Sequence, residues 1–160
     1  MIKDLVLKNR TYRRFYEDAA ITREQLTGLI ELARTSSSAA NAQPLKFYLS
    51  AGEKNEEIFQ CLGWAGYLKS WPGPEEGERP AAYIVILKEK ALKADPGIDI
   101  GIACQSILLG ATEMGFGGCM FGNVNRKKLA EYIALPEELE IPLVIALGKP
   151  KETVVIEEIV

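Results

Sequence analysis

The stretch Ile98 to Met114 is apolar on nearly every helical face, interrupted by Asp99, Gln105 and Glu113. A surface helix carries one apolar stripe, whereas a helix that is greasy all round belongs in an interior. A chain with such a segment must supply layers to cover it. Two segments can do so. Ala81 to Leu87, with its unbroken YIVIL core, reads as a strand buried on both faces. Ile141 to Leu147 (IPLVIAL) is the last strong strand. The polar interruptions of Ile98 to Met114 also argue against a bilayer span.

The remaining elements alternate around these three. Ile2 to Lys8 predicts a short helix, followed by the basic-aromatic stretch Asn9 to Tyr16. Thr22 with Gln25 three residues on reads as a capping box, opening a helix with Leu26, Leu29, Ile30 and Ala33 on one face. A small polar loop, Ser36 to Pro44, precedes a strand from Lys46 to Ala51, and the acidic turn Glu53 to Glu57 starts a helix through Ile58, Phe59 and Leu62. Gly63 to Pro80 is rich in breakers and reads as an ordered loop bearing aromatics. Gly115 to Gly122 reads as a glycine-rich turn into a short strand. Asn125 can cap a helix through Leu129 and Ile133 that Pro136 closes, and Glu152 to Val160 is a short mixed tail. No repeat or linker divides residues 1–160, so the expectation is one domain, α+β or α/β, with helices covering a central sheet.

Charge narrows the partners. The 160 residues carry a net charge of −3, which argues against general nucleic-acid binding or adhesion to an anionic membrane. MIKDLVLKNR is not a secretory signal. Cys61, Cys104 and Cys119 are odd in number and lack metal-type spacing, which fits reduced thiols in the cytoplasm. There is no histidine, which removes the usual general base, Ser-His and Cys-His nucleophile pairs, and most zinc sites. If the chain is an enzyme, a bound cofactor is the economical source of its chemistry.

Three constellations could hold one. Arg10 and Arg13 flank Thr11 and Tyr12, so two planar forks of donors and a hydroxyl can converge on a phosphate. The same run also fits a solvated basic turn. Ser36 to Pro44 offers small residues for close backbone approach, with Asn41 and Gln43 as amide donors and acceptors, or it is an ordinary Ser/Asn turn. Gly115 to Gly122 departs from GxGxxG, which argues against a Rossmann dinucleotide site, but it can still press backbone N–H groups against a flat ring, end a helix at Gly115, or do both. Asp99 and Gln105 are expected to be satisfied structurally. Trp64, Tyr67 and Trp71 can wall a substrate channel or simply pack under a loop. Acidic pairs such as Glu56-Glu57, Glu75-Glu76 and Glu137-Glu138 read as solvated faces.

Taken in order, these segments resemble the nitroreductase-like family of FMN enzymes. Its R-[ST]-x-R-x-[FY] pattern matches Arg10 to Phe15, and its Ser-Ala-x-Asn-x-Gln-Pro segment matches Ser38 to Pro44. Its Asp-x-Gly-x-Ala-x-Gln helix start matches Asp99 to Gln105, and its closing Leu-Gly-x-Pro matches Leu147 to Pro150. The resemblance implies an α+β fold with a mostly antiparallel central sheet flanked by helices, and a homodimer with FMN at the interface. It places Arg10, Thr11 and Arg13 on the phosphate and ribityl chain. Ser38, Ala39, Asn41 and Gln43 fall beside the ribityl chain and flavin, and the Phe121-Gly122 backbone near flavin N5. It implies hydride transfer from NAD(P)H to N5 and reduction of nitroaromatics, quinones or similar small acceptors in a ping-pong cycle. No catalytic side chain or metal is expected. Asn9 stands where several members carry another basic residue, and the chain stops before the tail that supplies a further cation in many relatives, so Lys149 or Lys151 is the expected substitute. Alternatives are a flavin-storage protein, a reductive dehalogenase or flavin-degrading relative, and an RNA-associated domain using Lys8 to Arg14.

Overall fold

The computed structural model describes residues 1–92 and 95–158; Ile159 and Val160 of the expected tail lie outside them. The backbone runs α1 (Ile2–Lys8), β1 (Phe15–Tyr16), α2 (Arg23–Thr35), β2 (Leu45–Ser50), α3 (Asn55–Phe59), β3 (Ala82–Glu89), α4 (Gly97–Glu113), β4 (Gly117–Phe121), α5 (Arg126–Tyr132) and β5 (Leu139–Pro150). All named strand pairs are antiparallel, so the α+β expectation holds.

β5 organises the sheet. One edge pairs with β3, which in turn pairs with β2. The other edge pairs with β4 over Val144–Gly148 and then with β1 over Lys149 and Pro150. An unbroken apolar run is commoner in parallel sheets, whose faces are both covered by helices. β3 shows the same logic at work in an antiparallel sheet. Tyr83, Val85 and Leu87 enter a core with Ile58, Leu62, Trp64, Phe121 and Leu129. Ala82, Ile84 and Ile86 enter a second core with Leu26, Leu29, Cys104, Ile107 and Ala111. The alternation of side chains along a strand sends successive residues to opposite layers.

Local signals hold where they rest on short-range chemistry. Thr22 accepts the backbone N–H of Gln25 at 3.1 Å and Gln25 accepts that of Thr22 at 2.9 Å, completing the capping box. Asn125 accepts the Lys128 N–H, capping α5. Gly115 ends the long helix with φ of +81°, a left-handed conformation that glycine adopts without penalty.

The glycine-rich stretch turns at Gly115 and runs into a short strand as expected, with Gly117 and Gly118 as ladder residues opposite Gly148 and Leu147. One reading needs correction. α4 is not covered all round: Ala103, Cys104, Ile107 and Ala111 are buried, but Ile98 is 78% exposed and Ile102 and Leu109 are only half-buried. Ile2, Val6 and Leu7 of α1 are exposed as well. An apolar surface is thus left open on this side of the molecule.

Candidate functional site

The outer edge of β4 brings the first and third motifs together. Thr11 and Gly118 form a parallel bridge, and the Tyr12 N–H donates to the Gly118 carbonyl at 3.0 Å. Only a residue without a side chain fits there. A Cβ on Gly118 would lie 2.6 Å from the Ala146 carbonyl oxygen and 2.8 Å from Leu108 Cδ2. Arg10, Thr11 and Arg13 therefore share a cleft of about 470 Å³ with Gln105 and Leu108 of α4 and with Gly118, Cys119 and Met120 of β4. Asn9 and Val154 complete its lining.

The cleft is cationic and under-committed. Arg10 spends one amino group on the Val6 carbonyl, while its Nε is buried without a partner. A buried guanidinium N–H without an acceptor is costly, and a bound anion would relieve it. Among the described residues, the Arg13 guanidinium has neither ion pair nor hydrogen bond; one face lies 5.6 Å from the Tyr67 ring centroid. The backbone beneath it is tied down, since the Glu152 carboxylate accepts the N–H groups of Arg13 and, at 3.3 Å, Arg14. Burial pushes the Cys119 thiol up to about 11, with Arg13 pulling it down and Glu152 pushing it up, so it is a neutral wall at pH 7.

The second motif sits at the start of α4. Asp99, buried in the first turn, accepts the Ala39 N–H at 2.9 Å, which meets the expected structural satisfaction of Asp99. The Ser38 hydroxyl accepts the Gln43 N–H at 2.9 Å, and the Gln43 amide donates to Asn41 at 3.2 Å. Ala40, Asn41 and Gln43 have φ of +50°, +53° and +48°. Left-handed non-glycine residues cost about 1–3 kcal/mol each and persist where surrounding bonds hold them. Ser38 and Gln43 line a separate apolar cavity of about 190 Å³ with Ala33, Pro44, Phe47 and Asp99. Ala39 and Asn41 are exposed and line neither cavity.

Within one chain, then, Arg10, Thr11 and Arg13 meet the glycine strand, while Ser38, Ala39, Asn41 and Gln43 stand apart. Phe121 is buried with its ring 4.7 Å from that of Trp64, and Gly122 is exposed just beyond the strand end; neither lines the cleft. Lys149 and Lys151 do not enter it: Lys149 stands over the Tyr16 ring and Lys151 pairs with Glu78 at 3.1 Å. Gln105 was expected to be satisfied structurally, but it is an exposed member of the cleft wall. Val154 and Glu152 were not legible as site residues. Glu152 lies 139 positions from Arg13, and no local pattern marks such a contact. Among the described residues, no group of three His, Cys, Asp or Glu could hold a metal ion, and no helix is long and apolar enough to cross a membrane.

The nitroreductase family model matches residues 6–149, nearly the whole length. The chain belongs to the nitroreductase family. A provisionally designated NADH dehydrogenase/NAD(P)H nitroreductase of Archaeoglobus fulgidus is 27% identical over 146 residues, covering 87% of this chain and 80% of that protein. The crystal structure of a nitroreductase family protein from Clostridium novyi NT superposes with a TM-score of 0.79 at 26% identity, covering 95% of this chain and 86% of that one. An FMN-dependent nitroreductase from Clostridium difficile R20291 shares the fold with a TM-score of 0.75 at 20% identity, covering 100% and 96% of the two chains.

Proposed function

We propose that this chain is an FMN-dependent oxidoreductase that takes a hydride from NAD(P)H and reduces small organic acceptors such as nitroaromatics or quinones. The observation that carries this reading is the buried, unpartnered Nε of Arg10 beside an uncommitted Arg13 guanidinium, both against a glycine strand. Forked cations with spare donors suit a phosphate monoester. The residues present fit FMN. Arg10, Thr11 and Arg13 hold the phosphate and ribityl chain, and the backbone at Phe121 and Gly122 borders the ring.

Ser38, Ala39, Asn41 and Gln43 come from a second subunit. Their loop is prebuilt by Asp99 and Ser38, yet none of its residues lines its own chain's cleft. Pairing two copies across the open faces of α1 and α4 supplies each cleft with the other's amide-bearing loop and covers Ile98, Val6 and Leu7. When bound, FMN would supply the redox chemistry, with N5 as the hydride acceptor of a ping-pong cycle. The chain's own groups bind, orient and exclude water, and no side chain is assigned a proton transfer. Residues 1–160 act as one domain, and three buried free cysteines suit the reducing cytoplasm.

The purified protein is expected to be yellow, and NADPH or NADH is expected to bleach it anaerobically. Replacing Arg10 and Arg13 with Ala together should weaken FMN binding by at least about a hundredfold, from the loss of two charge-assisted contacts. Unchanged flavin content in that double variant would remove the phosphate assignment. Yellow protein that neither nucleotide reduces would point instead to a flavin-storage role.

A further inference from the structure

The aromatic residues of the loop 63–80 have different fates. Trp64 is 8% exposed and packs against Phe121 and Trp71 in the core. Trp71 is half-buried and lies 5.6 Å from the Arg14 guanidinium. Tyr67 is 70% exposed, with one face on Arg13 and the other open. Core packing explains Trp64 and Trp71. It does not explain Tyr67.

The loop that displays Tyr67 is anchored at both ends. Its root is tied to the segment beyond β4 by the Gly63 N–H, which donates to the Asn123 carbonyl at 2.9 Å. Its return is tied to the arginine segment, where the Phe15 N–H donates to the Glu78 carbonyl at 2.9 Å and Glu17 accepts the Gly77 and Arg79 N–H groups. Inside it, the Leu68 N–H donates to the Ala65 carbonyl at 2.7 Å. The loop thus starts beside Gly122, at the end of β4 given to the flavin ring, and its tip reaches Arg13 in the cleft.

We infer that Tyr67 is a specificity-determining residue of this reductase, offering its open face as a stacking platform for the planar aromatic acceptor. The inference rests on the FMN reading and adds to it a residue that contacts the acceptor. The guanidinium beneath the ring restrains its tilt through a cation–π contact. An electron-rich phenol facing outward favours electron-poor rings, for which offset stacking is the preferred geometry. Met120, half-exposed in the cleft that Arg13 lines, adds a polarizable apolar contact that adapts to different ring shapes.

The test uses the FMN-loaded protein and 4-nitrobenzoate, titrated against the flavin absorbance bands and also assayed as acceptor. Tyr67→Ala removes an exposed side chain, so folding and flavin content should match the parent protein. Binding of 4-nitrobenzoate should weaken about tenfold, the size of one aromatic stacking contribution. The acceptor KM should rise with it while kcat and the rate of reduction by NAD(P)H hold. Tyr67→Phe keeps the ring and should restore binding. Unchanged binding in Tyr67→Ala with FMN retained overturns the role of Tyr67 and leaves the FMN reading standing. Loss of FMN in Tyr67→Ala also overturns it, since the ring would then belong to the cofactor site. A parent protein that takes up no FMN overturns both.

Discussion

Glu152 and Arg13 are 139 positions apart, yet the carboxylate of one receives the backbone of the other. Two successive N–H groups converging on an anion form a concave donor pair of the kind that elsewhere binds phosphate. Here the chain's own tail fills it, and the consequence is to fix the turn from which Arg13 projects. Glu152→Ala should therefore weaken FMN binding by about tenfold, the worth of a hydrogen bond to a charged group. Glu152→Gln should recover part of that loss, because its amide oxygen still accepts. Flavin fluorescence titration of the two variants checks the order, and equal affinities for parent and Glu152→Ala would sink the idea. The buried thiols give a second outcome at this scale. Burial pushes Cys104 and Cys119 from 9.0 up to about 11. Between these values the unfolded chain has released protons that the native chain still holds, so stability falls as pH rises. The urea midpoint should drop between pH about 9 and about 11, and Cys104→Ala with Cys119→Ala should flatten that drop.

At the scale of elements, β4 is where sheet and site coincide, and Gly118 shows how tightly. Any Cβ there meets the Ala146 carbonyl at 2.6 Å, a backbone atom that cannot swing aside. Gly118→Ala should destabilise by about 1–3 kcal/mol through overpacking. It should also loosen the Thr11 bridge and lower flavin affinity, both readable from a denaturation curve and a titration on one preparation. The helices α2 and α5 were legible because their caps are made by residues three apart in sequence. β3 was legible because an unbroken apolar run of strand length needs cover on both faces. β4 was legible as a short strand after a glycine turn, but its pairing with β5 was hidden because distant partners set it. The open face of α4 was hidden for a different reason. Apolar residues at Ile98, Ile102 and Leu109 look alike whether their cover is the same chain or another one. For the site, the arginine segment was legible as a phosphate candidate from residue type and spacing. Glu152 and Val154 enter it only through tertiary contact, which no short pattern encodes.

The whole molecule presents a cleft with spare cations on one side and a prebuilt amide loop on another, with an apolar surface exposed on α1 and α4. Each feature alone has a cost: an unpartnered Arg10 N–H, left-handed residues at Ala40, Asn41 and Gln43, and Ile98 at 78% exposure. The proposed pairing would relieve two of these costs directly and give the strained loop its use. Two copies joined through α4 would bury Ile98 and bring each loop to the other's cleft, where the cofactor's phosphate would meet Arg10. Oligomeric state and flavin content should then be coupled, because a ligand that binds only the paired form favours pairing by mass action. Ile98→Glu places a charge on that surface without touching either core, so the monomer should fold with an unchanged circular dichroism spectrum. It should sediment as a single chain at micromolar concentration and lose FMN, although Arg10, Thr11 and Arg13 are intact. Adding excess FMN to the variant should shift part of it back to the dimer. A variant that stays monomeric and still holds FMN as tightly as the parent would mean that one chain completes the site alone. The loop from Ser38 to Gln43 would then have to serve the apolar cavity beside it instead.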